Sequence, residues 1–251
     1  MAAPNGVELT GDQAGGSFSA DGLRLNQRMD DSRLNILWSF VRGDMAVTDF
    51  EAWLYAETDL EPLLGESLHF ELISADFKDR NAVFLLQRKV ESLLRPLLKC
   101  ECITLKDADM VPMGGDGDDE RFFATVETVR QHGGGQWWLH LDRCRACGQH
   151  WMIASEERIY DDYYLKRLDA GKAGQINEDG LWPEDFMTYE KVLEQGLELG
   201  KACRFLDPMA KSLVWTAQEL KAARPNITPA EIADLLGIDV DHVGRLLVAP
   251  R

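Results

Sequence analysis

The residues best suited to chemistry are cysteines. Cys100-x-Cys102 and Cys144-x-x-Cys147 are two pairs with 41 residues between them. The second pair stands in Cys144-Arg145-Ala146-Cys147-Gly148. That is the outline of a zinc knuckle, a tight turn whose glycine lets backbone amides face the thiolates. Four thiolates in two pairs suit tetrahedral zinc, and such a closed shell is structural, because a catalytic zinc keeps a position open. The long intervening loop is no obstacle, since closure entropy grows slowly with length. His150 is an alternative ligand that could replace one member of the first pair. Two metal-free states also fit the four cysteines: reduced thiols packed together, or a redox Cys-x-x-Cys. The redox state is the least favoured, because no thioredoxin-like βαβ pattern surrounds the motif. Cys203, alone on an expected helix, reads as a core thiol.

The carboxylates form two further groups. Asp116-Gly117-Asp118-Asp119-Glu120 resembles a fragment of a calcium loop but lacks the 12-residue ligand spacing, so it reads as an exposed acidic loop. Glu156, Glu157, Asp161 and Asp162 follow an expected strand with no matching nucleophile beside them. Asp116, Asp118, Asp119, Glu120, Glu156, Glu157, Asp161 and Asp162 are therefore candidate partner-binding residues. Histidines 69, 132, 140, 150 and 242 are scattered. No His-Glu-x-x-His, Gly-x-Ser-x-Gly, phosphate-loop or dinucleotide-binding glycine pattern is present. The expectation is a protein that is not an enzyme.

The elements that position these residues change period along the chain. Residues 1–32 are rich in small and polar side chains and read as loosely ordered, at least to about Ala20. Residues 33–99 read as a helix-rich α+β unit. Ile36, Leu37, Phe40 and Val41 recur at helical spacing before Gly43, and Val47–Tyr55 and Leu60–Leu64 follow as helices. Leu68–Ser74 alternates like a half-buried strand. Residues 79–98 form a long amphipathic helix whose last turn Pro96 distorts. Residues 100–159 read as an antiparallel β-meander: strands at Phe122–Val129, Trp137–Leu141 and His150–Ala154, with Gly133-Gly134-Gly135 as a turn. Trp137 and Trp138 read as packing residues. Residues 160–251 read as a helical unit led off by Tyr163, Tyr164 and Leu168. Its end, Ile227 to Leu247, is similar to a helix-turn-helix. The expected fold class is α+β.

The chain of 251 residues carries 43 Asp+Glu against 27 Lys+Arg, a formal charge of −16. Each quarter of the chain is negative. A phosphate-binding surface needs clustered Lys and Arg, so this balance argues against nucleic acid and for a basic protein partner. No stretch has the ~18 apolar residues of a membrane span, and the N-terminal residues lack the basic and apolar regions of a signal peptide. The expected location is the cytoplasm.

The stretch Phe50-Glu51-Ala52-Trp53-Leu54-Tyr55, Leu60-Glu61-Pro62-Leu63-Leu64-Gly65 and Phe70-Glu71-Leu72-Ile73-Ser74-Ala75-Asp76-Phe77 resembles bacterial immunity proteins, the inhibitors encoded beside contact-dependent or type VI secreted toxins. The likeness covers about residues 34–98. It implies a cytosolic protein that binds one cognate toxin tightly and blocks its active site or substrate groove. An acidic inhibitor would be steered to a nuclease with a basic cleft. The rival expectation is a zinc-containing transcriptional regulator that binds DNA through residues 227–247. Its second helix opens with Asp239, Asp241 and His242 and offers only Arg245 to phosphates, which disfavours it.

Overall fold

The computed structural model describes residues 29–114, 117–200 and 207–250. Of the expected loose segment, residues 1–28 lie outside the described residues, as do Asp116 and Cys203; its last residues are ordered, with Asp30 capping and Asp31 and Ser32 opening the first helix. The protein is α+β: eleven α-helices and one five-stranded antiparallel sheet among the described residues. Two compact units divide between Leu97 and Leu98.

The first unit is helical. Helix α1 (Asp31–Arg42) starts where the Asp30 carboxylate accepts from the Arg33 amide and ends at Gly43, whose φ of 70° closes the helix. Helices α2 (Val47–Ala56), α3 (Glu61–Leu64), α4 (Glu66–Ile73) and α5 (Arg80–Leu94) follow. As expected from Pro96, α5 gives way to a 3₁₀ turn, Arg95–Leu97. The core gathers Leu37, Phe40, Phe50, Leu54, Leu60, Leu72, Val90 and Leu94. Phe40 and Phe50 stack with ring centroids 3.7 Å apart, and Gln87 donates to the Phe40 carbonyl at 2.7 Å.

One expectation fails in this unit. The strand expected at Leu68–Ser74 is helix α4. Its apolar pattern is mixed: Leu68 and Leu72 are one helical turn apart, and Leu72 is fully buried, while Phe70 faces solvent. The outward Phe70 created the false alternation.

The second unit opens with a 3₁₀ turn (Glu101–Thr104), then strand β1 (Ala108–Pro112), helix α6 (Asp118–Phe123) and strands β2 (Val126–Gly133), β3 (Gln136–Cys144), β4 (His150–Glu156) and β5 (Asp162–Leu168). The sheet order is β1-β5-β4-β3-β2, with every pair antiparallel. Strand β4 is buried on both faces. Trp151 and Ile153 pack with Phe122 and Leu165 on one side, and Met152 and Ala154 pack with Tyr164, Phe186 and Val192 on the other.

Three local expectations are corrected here. Phe122 and Phe123 belong to α6, and strand begins only at Val126. The acidic residues Asp118, Asp119 and Glu120 form the first turn of that helix, where the positive end of the helix dipole favours them. Tyr163, Tyr164 and Leu168 lead off no helix. They lie on β5, whose Tyr164 and Leu165 are both fully buried because helices or loops cover both faces.

The rest is helical: α7 (Ala170–Gly174), α8 (Tyr189–Glu198), α9 (Lys211–Ala223), α10 (Pro229–Leu236) and α11 (Val240–Val248). Helices α10 and α11 form the helix-turn-helix-like hairpin. Thr228 and Glu231 cap α10 reciprocally, and Gly237 ends it with a φ of 61°. Ile232, Leu236, Val243 and Leu246 pack against Leu213 and Ala217 of α9. No helix among the described residues is long and apolar enough to cross a membrane.

Candidate metal centre

The fold brings the two cysteine pairs together. The sulfurs of Cys100, Cys102, Cys144 and Cys147 all lie within 4.8 Å of one another. Tetrahedral thiolate coordination with metal–sulfur bonds of about 2.3 Å spaces the sulfurs about 3.8 Å apart, so this grouping needs only a small contraction around an ion. The set takes both members of the first pair, and His150 is not part of it. Cys102 and Cys144 are buried, Cys100 is half-buried and Cys147 is exposed.

Each arm has a local cause. Cys144 is the last residue of β3, and the chain turns back at once into β4. The Gly148 amide donates to the Cys144 carbonyl at 2.9 Å, and the Cys144 amide donates to the Gln149 carbonyl at 2.8 Å. Gly148 carries a φ of 79°, a conformation that glycine adopts without strain. The amides of Ala146 and Cys147 are thereby aimed at the Cys144 sulfur. On the other arm, the 3₁₀ turn at Glu101–Thr104 folds Cys-x-Cys tightly enough that the Cys102 amide reaches the Cys100 sulfur.

Polar groups around the sulfurs fix their positions. Trp151 on β4 donates its indole N–H to the Cys102 sulfur at 3.3 Å. The Arg167 guanidinium lies over the Trp151 ring at 4.5 Å and donates to the carbonyls of Cys102 and Leu105, both at 2.9 Å. Arg167 also donates to Gln149 at 3.0 Å. One side chain on β5 thus ties together the 3₁₀ arm, the tryptophan and the knuckle arm. The Thr125 hydroxyl lies 3.5 Å from the Cys144 sulfur, and the Thr125 carbonyl accepts from the Arg145 amide at 2.8 Å.

The electrostatics of the cluster are uneven. Burial pushes the Cys100 thiol up to about 12, opposing the amide that hydrogen-bonds it. Burial drives Cys102 higher still, against the Trp151 N–H. Burial acts on Cys144 in the same sense, but the Thr125 hydroxyl and the amides of Cys147 and Ala146 outweigh it and bring that thiol down to about 7. One sulfur is therefore ready to ionise. Gathering four thiolates in this volume requires a cation to offset their mutual repulsion. The arrangement can hold a metal ion and fasten the 100–104 segment to the sheet.

Compared with protein-family models, with curated proteins and with solved structures, the chain finds no match.

The carboxylates expected to form a partner-facing patch are dispersed. Asp118 is exposed and pairs with Arg121. The Asp119 carboxylate accepts from the Gly114 amide at 2.8 Å, which holds its pKa below the ordinary range. Glu120, Glu157 and Asp161 are exposed. Glu156 and Asp162 are not surface groups at all: both are buried. Glu156 accepts from the amides of Arg158 and Ile159 at 2.9 and 3.0 Å, from the Tyr160 amide at 2.6 Å and from the Tyr189 hydroxyl. It pins the turn between β4 and β5, and a partner cannot reach it. Sequence reasoning also missed Trp151, Arg167 and Thr125. No motif marks them, because their contacts to Cys102 and Cys144 span 49, 65 and 19 residues.

Proposed function

We propose that this protein is an immunity-type inhibitor that neutralises a basic toxin domain by surface contact, and that its second unit is held by a structural zinc ion. The observation that supports the contact reading is the character of α2–α4. Between Asp44 and Asp79 the chain carries ten carboxylates and a single base, Lys78, whereas residues 80–99 carry five bases and one acid. The acids are thus concentrated in the stretch that builds α2–α4: Asp49, Glu51, Glu61, Glu66 and Glu71 lie on the helices and the other five in the turns that join or flank them. That run also exposes large apolar groups: Tyr55 at 59 %, Phe70 at 65 % and Ile73 at 37 %. They are neighbours. The Tyr55 hydroxyl donates to the Ile73 carbonyl at 3.2 Å, and Phe70 stands one helical turn before Ile73. Glu51 and Glu66 lie one turn before Tyr55 and Phe70 on the same helix faces. Aromatic anchors bordered by one sign of charge form the pattern of a protein interface steered to a partner of opposite sign. These residues fall inside the stretch that resembles immunity proteins.

Zinc is favoured for the second unit by the donor set. Four thiolates supply soft ligands in a closed tetrahedron, which matches a d¹⁰ ion with no redox chemistry. The rival reading, DNA binding through α10 and α11, has weaker support. The exposed positions of α11 are Val240, Asp241, Gly244, Arg245 and Val248, with one positive charge among them.

The test is co-expression with the product of the adjacent gene. Restored growth, a co-purifying complex, and loss of both in Phe70→Asp and Tyr55→Ala are the expected results. A folded Phe70→Asp protein that protects as well as the wild type would remove the α2–α4 surface from consideration. If no neighbouring product binds the wild type, the immunity reading fails as a whole.

A further inference from the structure

A second cluster of polar side chains lies on the sheet, on the strand that ends at Cys144 and on its neighbour β4. On β3, His140 and Asp142 are two residues apart and so share one face. On β4, Ser155 shares that face, since Ile153 is the register partner of His140 and Ser155 stands two residues further on. The three side chains form one hydrogen-bonded line. His140 Nδ1 lies 2.7 Å from the Asp142 carboxylate, and His140 Nε2 lies 3.3 Å from the Ser155 hydroxyl. With the Nδ1 proton donated to Asp142, Nε2 is left as the acceptor for the serine proton. Asp142 is 2 % exposed, while His140 and Ser155 remain partly open to solvent.

We propose that Ser155, His140 and Asp142 constitute a serine nucleophile site for acyl transfer from small esters. The order of the line matches the chemical requirement: a nucleophile bonded to a base, and that base oriented by a third group. Helix α6 covers the neighbouring part of the same face, where Phe122 meets Trp151 and Phe123 meets Tyr163, the register partner of Ser155. The Tyr163 ring thus borders the open part on one side. Gln131, exposed on β2 and in register with His140, flanks it on the other. The ladder of β2 is irregular on both sides of Gln131, between Thr128 and Arg130 and again between Gln131 and Gly133. Such bulges re-aim side chains and recur beside active sites.

The step balances with water alone. The Ser155 oxygen attacks the ester carbonyl, and its proton passes to His140 Nε2. The carbon–alkoxide bond breaks, and the same proton leaves on the alcohol. Water then attacks the acyl-serine, gives a proton to His140, and the acid departs as Ser155 is reprotonated. Asp142 is a positioning residue that holds the imidazole in the required tautomer. This inference does not rest on the toxin-binding reading.

The experiment uses a fluorophosphonate, which reports the first half of this step. The Ser155 oxygen bonds to phosphorus, fluoride leaves, and the proton goes to His140. The full chain is expected to form one adduct, mapped by mass spectrometry to Ser155 and absent from Ser155→Ala. His140→Gln and His140→Ala should label more slowly by a factor on the order of 10²–10⁴, the usual worth of a positioned general base. Asp142→Asn should lower the maximal labelling rate while the probe concentration for half-maximal rate stays unchanged. A merely loosened fold would move both. Gln131→Leu should slow labelling without changing its position. Circular dichroism identifies any variant that fails to fold, and the Ser155→Ala comparison then carries the test. Absence of a Ser155 adduct in the folded wild type overturns the proposal, as does labelling at an unchanged rate in a folded His140 variant.

Discussion

Removing the ion from the cysteine cluster is the most demanding test of the metal reading. Cys102 and Cys144 are the inner ends of a 41-residue loop. Bringing the ends of such a loop together costs about 4 kcal/mol in a chain-entropy estimate. Packing returns part of this through the buried Cys102 and Cys144 side chains and the Trp151 and Arg167 hydrogen bonds. The ion must be worth a comparable amount. By linkage, a free ion at a thousand times its dissociation constant adds about 4 kcal/mol to the folded state. The second unit is residues 98–251. For a unit of that size each kcal/mol shifts Tm by about 2–4 °C, so chelation should lower its Tm by about 8–16 °C. The assay is calorimetry with and without a strong zinc chelator, followed by zinc re-addition. Cys102→Ser should melt like the chelated wild type and should no longer respond to chelator. A wild-type shift under about 2 °C, or fewer than about 0.2 zinc per chain after gentle purification, would refute the reasoning.

Three further outcomes follow from particular contacts. Zinc binding should release at least two protons near neutral pH, because burial keeps Cys100 and Cys102 protonated in the free site, with a further fraction from Cys144. Affinity therefore falls as pH falls, by about a hundredfold per unit for two protons, which titration calorimetry in buffers of different ionisation enthalpy checks. In Gly196→Ala the new Cβ would stand 2.6 Å from the Tyr164 hydroxyl oxygen, and Tyr164 is fully buried. Overpacking of about 1–3 kcal/mol should exceed the roughly 1 kcal/mol that alanine gains in a helix, and thermal melts should show Tyr164→Phe rescuing the loss. Thr228→Ala removes the acceptor for the Glu231 amide at 3.2 Å and should cost about 1 kcal/mol by denaturant titration. Glu231 is held below its ordinary value of 4.5, chiefly by Thr228. Its contribution is therefore present above that pH and lost as pH falls through the native value, and this acid dependence should weaken in Thr228→Ala, where the residue-228 amide and Arg224 still hold the carboxylate.

The cysteine cluster is legible in the sequence because its signal is local. A Cys-x-x-Cys followed by glycine specifies a turn with two thiols and inward amides, whatever surrounds it. The first arm was less secure, since Cys-x-Cys works here only because residues 101–104 adopt a 3₁₀ turn and Arg167 holds their carbonyls. That hold comes from β5, a strand whose Tyr164, Leu165 and Leu168 spacing reads equally well as helix. A strand buried on both faces has no alternation to display. Helix α6 was hidden for a related reason. Phe122 and Phe123 prolonged the apolar run into β2, and nothing in the sequence marks Ala124–Thr125 as the break. Glu156 illustrates a different limit. Its exposure depends on where three amides and the Tyr189 hydroxyl converge, and one of those partners lies 33 residues away.

The failure at α4 is informative in its own right. A helix buried along one stripe should place polar groups on the opposite face, and Leu72 inward with Glu66 outward obeys that rule. Phe70 and Ile73 break it by facing water, and they turn a helical pattern into an apparent strand. Neither is required by the core, where Leu72, Phe50 and Leu54 already close the packing. An exposed aromatic side chain beside exposed Tyr55 lowers solubility and returns nothing to this fold. On the inhibitor reading proposed above, it serves as an anchor for an external contact. The stretch from Asp44 to Asp79 that contains these helices carries ten carboxylates against one lysine. The residue that misled the reading of secondary structure is therefore the one on which a basic partner should depend most, and Phe70→Asp separates the two roles, leaving the core intact while removing the anchor.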